Sequence, residues 1–132
     1  MTQQESVAFW ANKAKDELDT ANIMFKSAKF LYTGFMCHQS IEKALKAYYI
    51  YVHDERQPYQ HNLERLADMT DLFDKLDDDK KQTLKMLQPL YIATRYEDEK
   101  NAIAERLTKP YCKELLVGTE MLLKWILQLM KL

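Results

Sequence analysis

Glycine and proline are scarce in this chain, with two and three copies in 132 residues. Sheet proteins need many tight turns, which these residues normally supply, so their scarcity argues against an all-β fold. The shortage of glycine also excludes glycine-rich phosphate loops and the Gly-x-Ser-x-Gly nucleophile motif. Leu, Ala, Lys, Glu and Met are abundant and favour helices. We therefore predict an all-α fold in a single domain, over residues 1–132.

Patterns that would hold a metal or a cofactor are also missing. Cys37 and Cys112 lie far apart and form no Cys-x-x-Cys pair. None of the three histidines belongs to a His-Glu-x-x-His or comparable ligand pattern. The formal net charge is -1, so any binding of nucleic acid must depend on a local basic patch. We expect neither a metal site nor a cofactor.

No apolar run is long enough for a membrane span. The most apolar stretch, 115–132, is interrupted by Glu120, Lys124 and Gln128, which a membrane span tolerates poorly. The first residues lack the basic start and apolar stretch of a signal peptide. We expect a cytoplasmic protein that does not enter a membrane.

Apolar residues at spacings of three and four predict the first part of a helical bundle. The first helix is capped at Thr2 and runs to about Ala28, and its many alanines indicate close approach to a neighbour. The second, about Tyr32 to Val52, is apolar around much of its circumference and is therefore central or part of a subunit interface. After a loop over 54–60, the third helix is predicted over 63–76.

The second half of the chain completes a prediction of five helices in up-and-down order. The acidic run 77–79 is interpreted as the cap of a fourth helix, which continues to Tyr91 with a bend at Pro89. The segment 95–107 has the poorest helical pattern and dense mixed charge, so we predict an exposed, partly irregular connection. Thr108 is predicted to cap the last helix.

Two polar groupings are candidates for function. On the second helix, Glu42 and Lys46 form an i,i+4 pair with Lys43 nearby, which is either a simple stabilising ion pair or a functional strip on a central helix. Arg95 and Tyr96 precede two acids, and a planar cation beside an aromatic ring suits contacts to phosphate and base. The alternative is an Arg95 held structurally by Glu97, Asp98 or Glu42, and spacing alone does not separate the two.

Several segments, in this order and spacing, resemble the HEPN family, named for nucleotide binding in higher eukaryotes and prokaryotes. They cover nearly the whole chain and are Ala8-Phe9-Trp10, Ala14-x-x-Glu17-Leu18-x-x-Ala21, Gly34-Phe35-Met36-Cys37-His38-Gln39-Ser40-Ile41-Glu42-Lys43-Ala44-Leu45-Lys46-Ala47, His61-Asn62-Leu63-x-x-Leu66 and Leu90-Tyr91-x-x-Thr94-Arg95-Tyr96. The resemblance implies a helical bundle that commonly forms a homodimer and is often encoded beside a small nucleotidyltransferase. Many members are toxin ribonucleases of toxin–antitoxin systems. The residues that match motif positions, and that we take as a candidate binding surface, are Glu42, Lys43, Lys46, Arg95 and Tyr96.

The ribonuclease branch of the family has an Arg followed, after four to six residues, by a His that supplies acid–base chemistry. After Arg95 the corresponding residues are Lys100, Asn101 and Ala102, so that histidine is missing. His61 could approach Arg95 in space, but its place before Leu63 fits the start of a helix better.

The leading hypothesis is a non-catalytic module that binds a nucleotide, RNA or a partner nucleotidyltransferase. One alternative is a metal-independent ribonuclease that uses Arg95 with an unrecognised base. The other is a purely structural role for Arg95 in an interaction protein.

Overall fold

The computed structural model describes all 132 residues, and every regular element is helical. Two single turns of 3-10 helix, at Phe73–Lys75 and Gln88–Leu90, accompany the α-helices. The all-α prediction is confirmed, with six α-helices where five were expected. They are α1 (Gln3–Lys26), α2 (Phe30–His53), α3 (Leu63–Asp68), α4 (Asp78–Leu87), α5 (Glu97–Arg106) and α6 (Lys109–Leu129).

Three helices begin at the caps that the sequence predicts. The Thr2 hydroxyl accepts a hydrogen bond from the Glu5 backbone, and the Glu5 carboxylate accepts one from the Thr2 backbone. Asp77 accepts from the Lys80 backbone at 2.9 Å, and Thr108 accepts from the Tyr111 backbone at 3.3 Å. Each cap satisfies an amide group that the first turn of a helix leaves unpaired.

The prediction of one third helix over 63–76 is wrong. Helix α3 ends at Asp68, and the backbone turns where Asp71 adopts a left-handed conformation, with φ of 58°. The Leu72 amide then donates back to the Ala67 carbonyl at 2.9 Å. A left-handed residue just past a helix end, with such a back-bond, is a common helix terminator. It carries the Leu72 side chain into the core, where it is fully buried.

Of the predicted exposed, partly irregular connection over 95–107, the exposure is confirmed but the irregular structure is wrong, because most of this segment is helix α5. Ile103 is the one buried residue of α5, so the helix has almost no apolar stripe. Its first turn is acidic, and the Glu99 carboxylate accepts a hydrogen bond from the Tyr96 backbone amide at 3.2 Å. Negative charge and capping at the helix start stabilise α5 locally.

Helix α2 is central, which is one of the two arrangements that the sequence left open. It packs along α1, against α6, and against the shorter helices α3, α4 and α5. Ala11 and Ala14 of α1 are fully buried, and the Ser40 hydroxyl of α2 donates to the Ala14 carbonyl at 2.7 Å. The expected close approach of the alanine-rich helix is thus confirmed. Thirty buried apolar residues form one continuous core. None of the helices combines the length and apolar character that a membrane crossing requires.

We expect Gly118→Ala to destabilise the protein by about 1–3 kcal/mol, because the added methyl overpacks the contact between α4 and α6. A Cβ at Gly118 would lie 2.5 Å from the Thr83 hydroxyl, which itself donates to the Asp79 carbonyl. Urea unfolding measures the loss. The exposed neighbour provides a control, since Val117→Ala should change stability by less than about 0.5 kcal/mol. If adding Thr83→Ala to Gly118→Ala gave no recovery, the clash would not be the cause.

Candidate functional site

A cluster of buried charges surrounds Glu42 at the middle of α2. Its side chain is 1% exposed, and one carboxylate oxygen lies 3.0 Å from the Lys46 ammonium and 3.6 Å from that of Lys43. The other oxygen lies 3.0 Å from Nδ1 of His61, in the loop before α3. Glu42 is therefore hydrogen-bonded to Lys46 and His61 and forms a longer ion pair with Lys43.

The charge state of this cluster follows from burial and from its cations. Burial alone would raise the pKa of Glu42, but the charge and hydrogen bond of Lys46, aided by Lys43 and His61, hold it below its ordinary value. Glu42 is thus a carboxylate at neutral pH. The reverse applies to Glu17 of α1, 3.7 Å from Lys43, because burial outweighs the nearby lysines and raises its pKa.

Arg95 lies between the end of α4 and the start of α5, and backbone groups fix its side chain. Its Nε donates to the Tyr91 carbonyl at 3.1 Å, and one terminal nitrogen donates to the Pro89 carbonyl at 3.1 Å. The other terminal nitrogen donates to the Glu99 carboxylate at 3.3 Å. A guanidinium has five N–H donors, so three hydrogen bonds leave two donors unused. The Arg95 side chain is 33% exposed, so those donors can meet a ligand.

The carboxylate beside Arg95 is not one of the three expected from the sequence. Glu99, one turn into α5, makes the ion pair, whereas Glu97, Asp98 and Glu42 do not. Glu99 can reach back because α5 is helical from its first residue. This pair is partly exposed, and such pairs contribute little to stability.

Arg95 and His61 line the same surface cavity, which has a volume of about 350 Å³. Its walls come from the loop before α3, the turn after α4 and the start of α5. They are His61, Asn62, Gln88, Tyr91, Thr94, Arg95 and Glu99. Six of these seven side chains are not hydrophobic, which fits a hydrophilic ligand.

Aromatic packing fixes the floor of this cavity. The rings of His61 and Tyr91 stack at 4.3 Å between centroids, with 16° between their planes. The buried His38 ring approaches Tyr91 at 5.5 Å. Burial, reinforced by the charge of Glu42 and by Tyr59, raises the pKa of Tyr91, so its phenol is protonated at neutral pH. His61 connects this cavity to the buried Glu42 beneath it.

The five candidate residues from the sequence do not form one exposed surface. Glu42 and Lys46 are buried with the partly buried Lys43 beside them, Arg95 lines the cavity, and Tyr96 is 78% exposed but outside the cavity wall. Their roles as ligand contacts stay a prediction.

His61 and Tyr91 contribute to the Arg95 cavity, although neither was among the five candidate residues. Asn62, rather than His61, caps α3, through a hydrogen bond from the Arg65 backbone at 3.0 Å. His61 is thereby free to pack on Tyr91. The grouping of a histidine and a tyrosine with Arg95 had a signal in the sequence, because both residues fall within the motifs that carry the family resemblance.

A second depression, of about 460 Å³, lies between the start of α1 and the end of α2. Its wall includes Phe9 and Trp10 together with Asp54, Glu55 and Arg56. Two acids beside one arginine make it less suited to a phosphate than the Arg95 cavity.

The structure is thus an all-helical bundle with a polar cavity beside a fixed arginine. The HEPN domain model matches residues 7–129, so the chain belongs to the HEPN domain family. The protein TT1696 from Thermus thermophilus has a crystal structure with a TM-score of 0.76 and 21% identity, covering 92% of this chain and 96% of that one. The crystal structure of ST0689, an archaeal HEPN homologue, has a TM-score of 0.70 and 21% identity, covering 94% and 97%. At this identity, both show a shared fold. No curated protein matches the chain by sequence.

Proposed function

We propose that the protein is a binding module that holds a nucleotide or RNA in the cavity lined by Arg95, Tyr91 and His61. The observation that carries this proposal is the way in which the Arg95 side chain is hydrogen-bonded. Two backbone carbonyls fix its guanidinium, yet two N–H donors remain unused on a side chain that lines the cavity. A preorganised guanidinium suits phosphate oxygens, because little side-chain entropy is lost when it binds them.

Other groups around Arg95 support a phosphate-bearing ligand. The amide oxygens of Asn62 and Gln88 accept hydrogen bonds from the backbone of α3, which leaves both amide NH₂ groups as donors. Both residues line the cavity with Arg95. The stacked rings of His61 and Tyr91 add an aromatic surface against which a base or a sugar can pack.

A binding titration with a short single-stranded RNA tests this proposal. Arg95→Ala should weaken binding by about 10–100-fold, because it removes charge-assisted hydrogen bonds. The slope of log affinity against log salt concentration should also become less steep by roughly 0.7, which is the contribution of one phosphate contact in a single strand. The matched control is Arg56→Ala, at the wall of the other depression.

Three outcomes would count against the proposal. Equal losses for Arg95→Ala and Arg56→Ala would indicate nonspecific charge attraction, and a larger loss for Arg56→Ala would place the ligand in the other depression. A variant Arg95→Ala that is less stable but binds as the wild type does would establish a purely structural arginine. Circular dichroism and unfolding of each variant separate lost binding from lost fold.

A metal-independent ribonuclease is the second candidate, and the shared cavity of His61 and Arg95 favours it. The motif histidine after Arg95 is absent, but an imidazole from the loop before α3 lies in the same cavity. RNA cleavage in the presence of a chelator, lost in both Arg95→Ala and His61→Phe, would support catalysis. If the RNA stays intact after incubation with folded protein, the ribonuclease is rejected and binding is the one function still proposed.

The family resemblance is the basis for two further proposals about partners. One is that the chain forms a homodimer, and the other is that it associates with a small nucleotidyltransferase encoded next to it. Light scattering of the purified protein tests the first, and copurification with the product of the neighbouring gene tests the second. A monomer across the accessible concentration range would reject the homodimer.

A further inference from the structure

The loop histidine of the cavity is held in one orientation by three neighbours. Nδ1 of His61 lies 3.0 Å from Glu42, and one ring face stacks on Tyr91. The Tyr59 ring approaches edge to face at 5.2 Å. Rotation of the His61 ring would break the hydrogen bond and the stacking together. The position of each ring nitrogen is therefore fixed by the fold.

Glu42 also decides which ring nitrogen carries the proton. A carboxylate can only accept hydrogen bonds, and Lys43 and Lys46 keep Glu42 ionised. A neutral His61 must therefore hold its proton on Nδ1, which leaves Nε2 as an acceptor. Nε2 makes no hydrogen bond within the chain, and the His61 side chain, which is 32% exposed, lines the cavity. Such a carboxylate–histidine pair fixes a tautomer in many protein sites.

The free acceptor limits which ligand group can lie next to it. The cavity supplies donors for phosphate oxygens, from Arg95, Asn62 and Gln88, but Nε2 of a neutral His61 protonated at Nδ1 can only accept a hydrogen bond. Within the sugar–phosphate backbone, an ionised phosphate has no donor, whereas a ribose hydroxyl has one. The 2′-hydroxyl is also the group by which proteins distinguish RNA from DNA.

We infer that His61, positioned by Glu42, determines specificity for a ribonucleotide by accepting a hydrogen bond from the 2′-hydroxyl at Nε2. This inference rests on the proposed binding of a nucleotide at Arg95. It assigns Arg95 to the phosphate, His61 to the sugar hydroxyl and Glu42 to the orientation of His61. The buried charge cluster is thereby connected to the chemistry of the ligand.

Paired titrations with one RNA oligonucleotide and the DNA of the same sequence, at about pH 8 where free imidazole is neutral, test the inference. The wild type should prefer RNA by about tenfold, the effect of one hydrogen bond. His61→Phe keeps a ring on Tyr91 but has no acceptor, so it should lose the RNA preference and bind the RNA and the DNA with the same affinity. The control His53→Phe, at an exposed histidine of α2, should keep the preference.

Nitrogen-15 NMR of the free protein tests the positioning role independently. The wild type should show His61 protonated at Nδ1, and Glu42→Gln should show a mixture of tautomers and a smaller preference for RNA. A structural role of Glu42 alone would lower stability without changing the ratio of RNA to DNA affinity.

The outcomes separate this inference from the proposal beneath it. Equal affinity of the wild type for RNA and DNA, an equal loss of both in His61→Phe, or a wild-type His61 protonated at Nε2 would overturn the inference while binding at Arg95 stands. If neither oligonucleotide binds, or if Arg95→Ala binds both normally, the proposed function fails and the inference fails with it.

Discussion

Glu42→Ala is expected to lower the free energy of unfolding by about 3–5 kcal/mol, the usual cost of removing one partner from a buried ion pair. The Lys46 side chain is 7% exposed and would keep its charge in the interior without an acceptor. Lys43 and His61 would lose their contacts with the same carboxylate. Urea or thermal unfolding at neutral pH measures the loss.

The chain contains a matched control for this prediction. Glu120 and Lys124 of α6 have the same i,i+4 spacing and a similar distance of 3.3 Å, but their side chains are 55% and 70% exposed. Glu120→Ala should therefore cost less than about 1 kcal/mol. A loss in Glu42→Ala as small as that in Glu120→Ala would show that the cluster is hydrated in solution. A double variant with Lys46→Met should recover part of the loss, since it removes the unpaired charge.

Stability should fall as the pH drops from about 6.5 to about 4, because His38 is buried without a positive charge. Burial, opposed by the charge of Glu42, lowers the pKa of His38 from 6.5 to about 4. Between pH 6.5 and pH 4, His38 carries a proton in the unfolded chain but not in the folded chain. The stability that His38 contributes is therefore complete above about pH 6.5 and is lost as the pH falls toward about 4. The expected loss is on the order of 3 kcal/mol.

His38→Leu isolates this effect in unfolding experiments between about pH 7 and pH 4. The variant should lose most of the pH dependence, whereas His53→Leu, at an exposed position, should keep it. Glu17 acts in the opposite direction, because its raised pKa makes the folded state take up a proton as the pH falls. Subtracting the pH dependence of His38→Leu from that of the wild type cancels the contribution of Glu17, because both proteins contain it. Identical slopes in the two proteins would show that His38 titrates normally in the folded state.

Helices with an apolar stripe, and the caps at their starts, could be predicted from the sequence, whereas α5 could not. Thr2, Asp77 and Thr108 act on amide groups within the next three residues, so their role is visible in a short segment. Helix α5 buries only Ile103 and gives no periodic signal. The end of α3 depends on a left-handed Asp71, and aspartate adopts that conformation without a distinctive sequence pattern.

The candidate site was only partly predictable, because its residues come from distant parts of the chain. Arg95 was identified by its motif, but its contacts depend on where the turn after α4 places the carbonyls of Pro89 and Tyr91. The distance between His61 and Glu42 depends on the path of the loop after α2, which no local pattern specifies. The spacing of Glu42 and Lys46 predicted an ion pair, and only packing determined that it is buried.

The central claim is that the Arg95 cavity holds a nucleotide through its phosphate, and NMR chemical-shift mapping with a short RNA tests it most directly. We predict the largest shifts at the Arg95 guanidinium and the His61 ring, with smaller shifts at Gln88 and Thr94, and Arg95→Ala should abolish those at the other three residues. Shifts centred on Phe9, Trp10 and Arg56, or no shifts at saturating RNA, would contradict it.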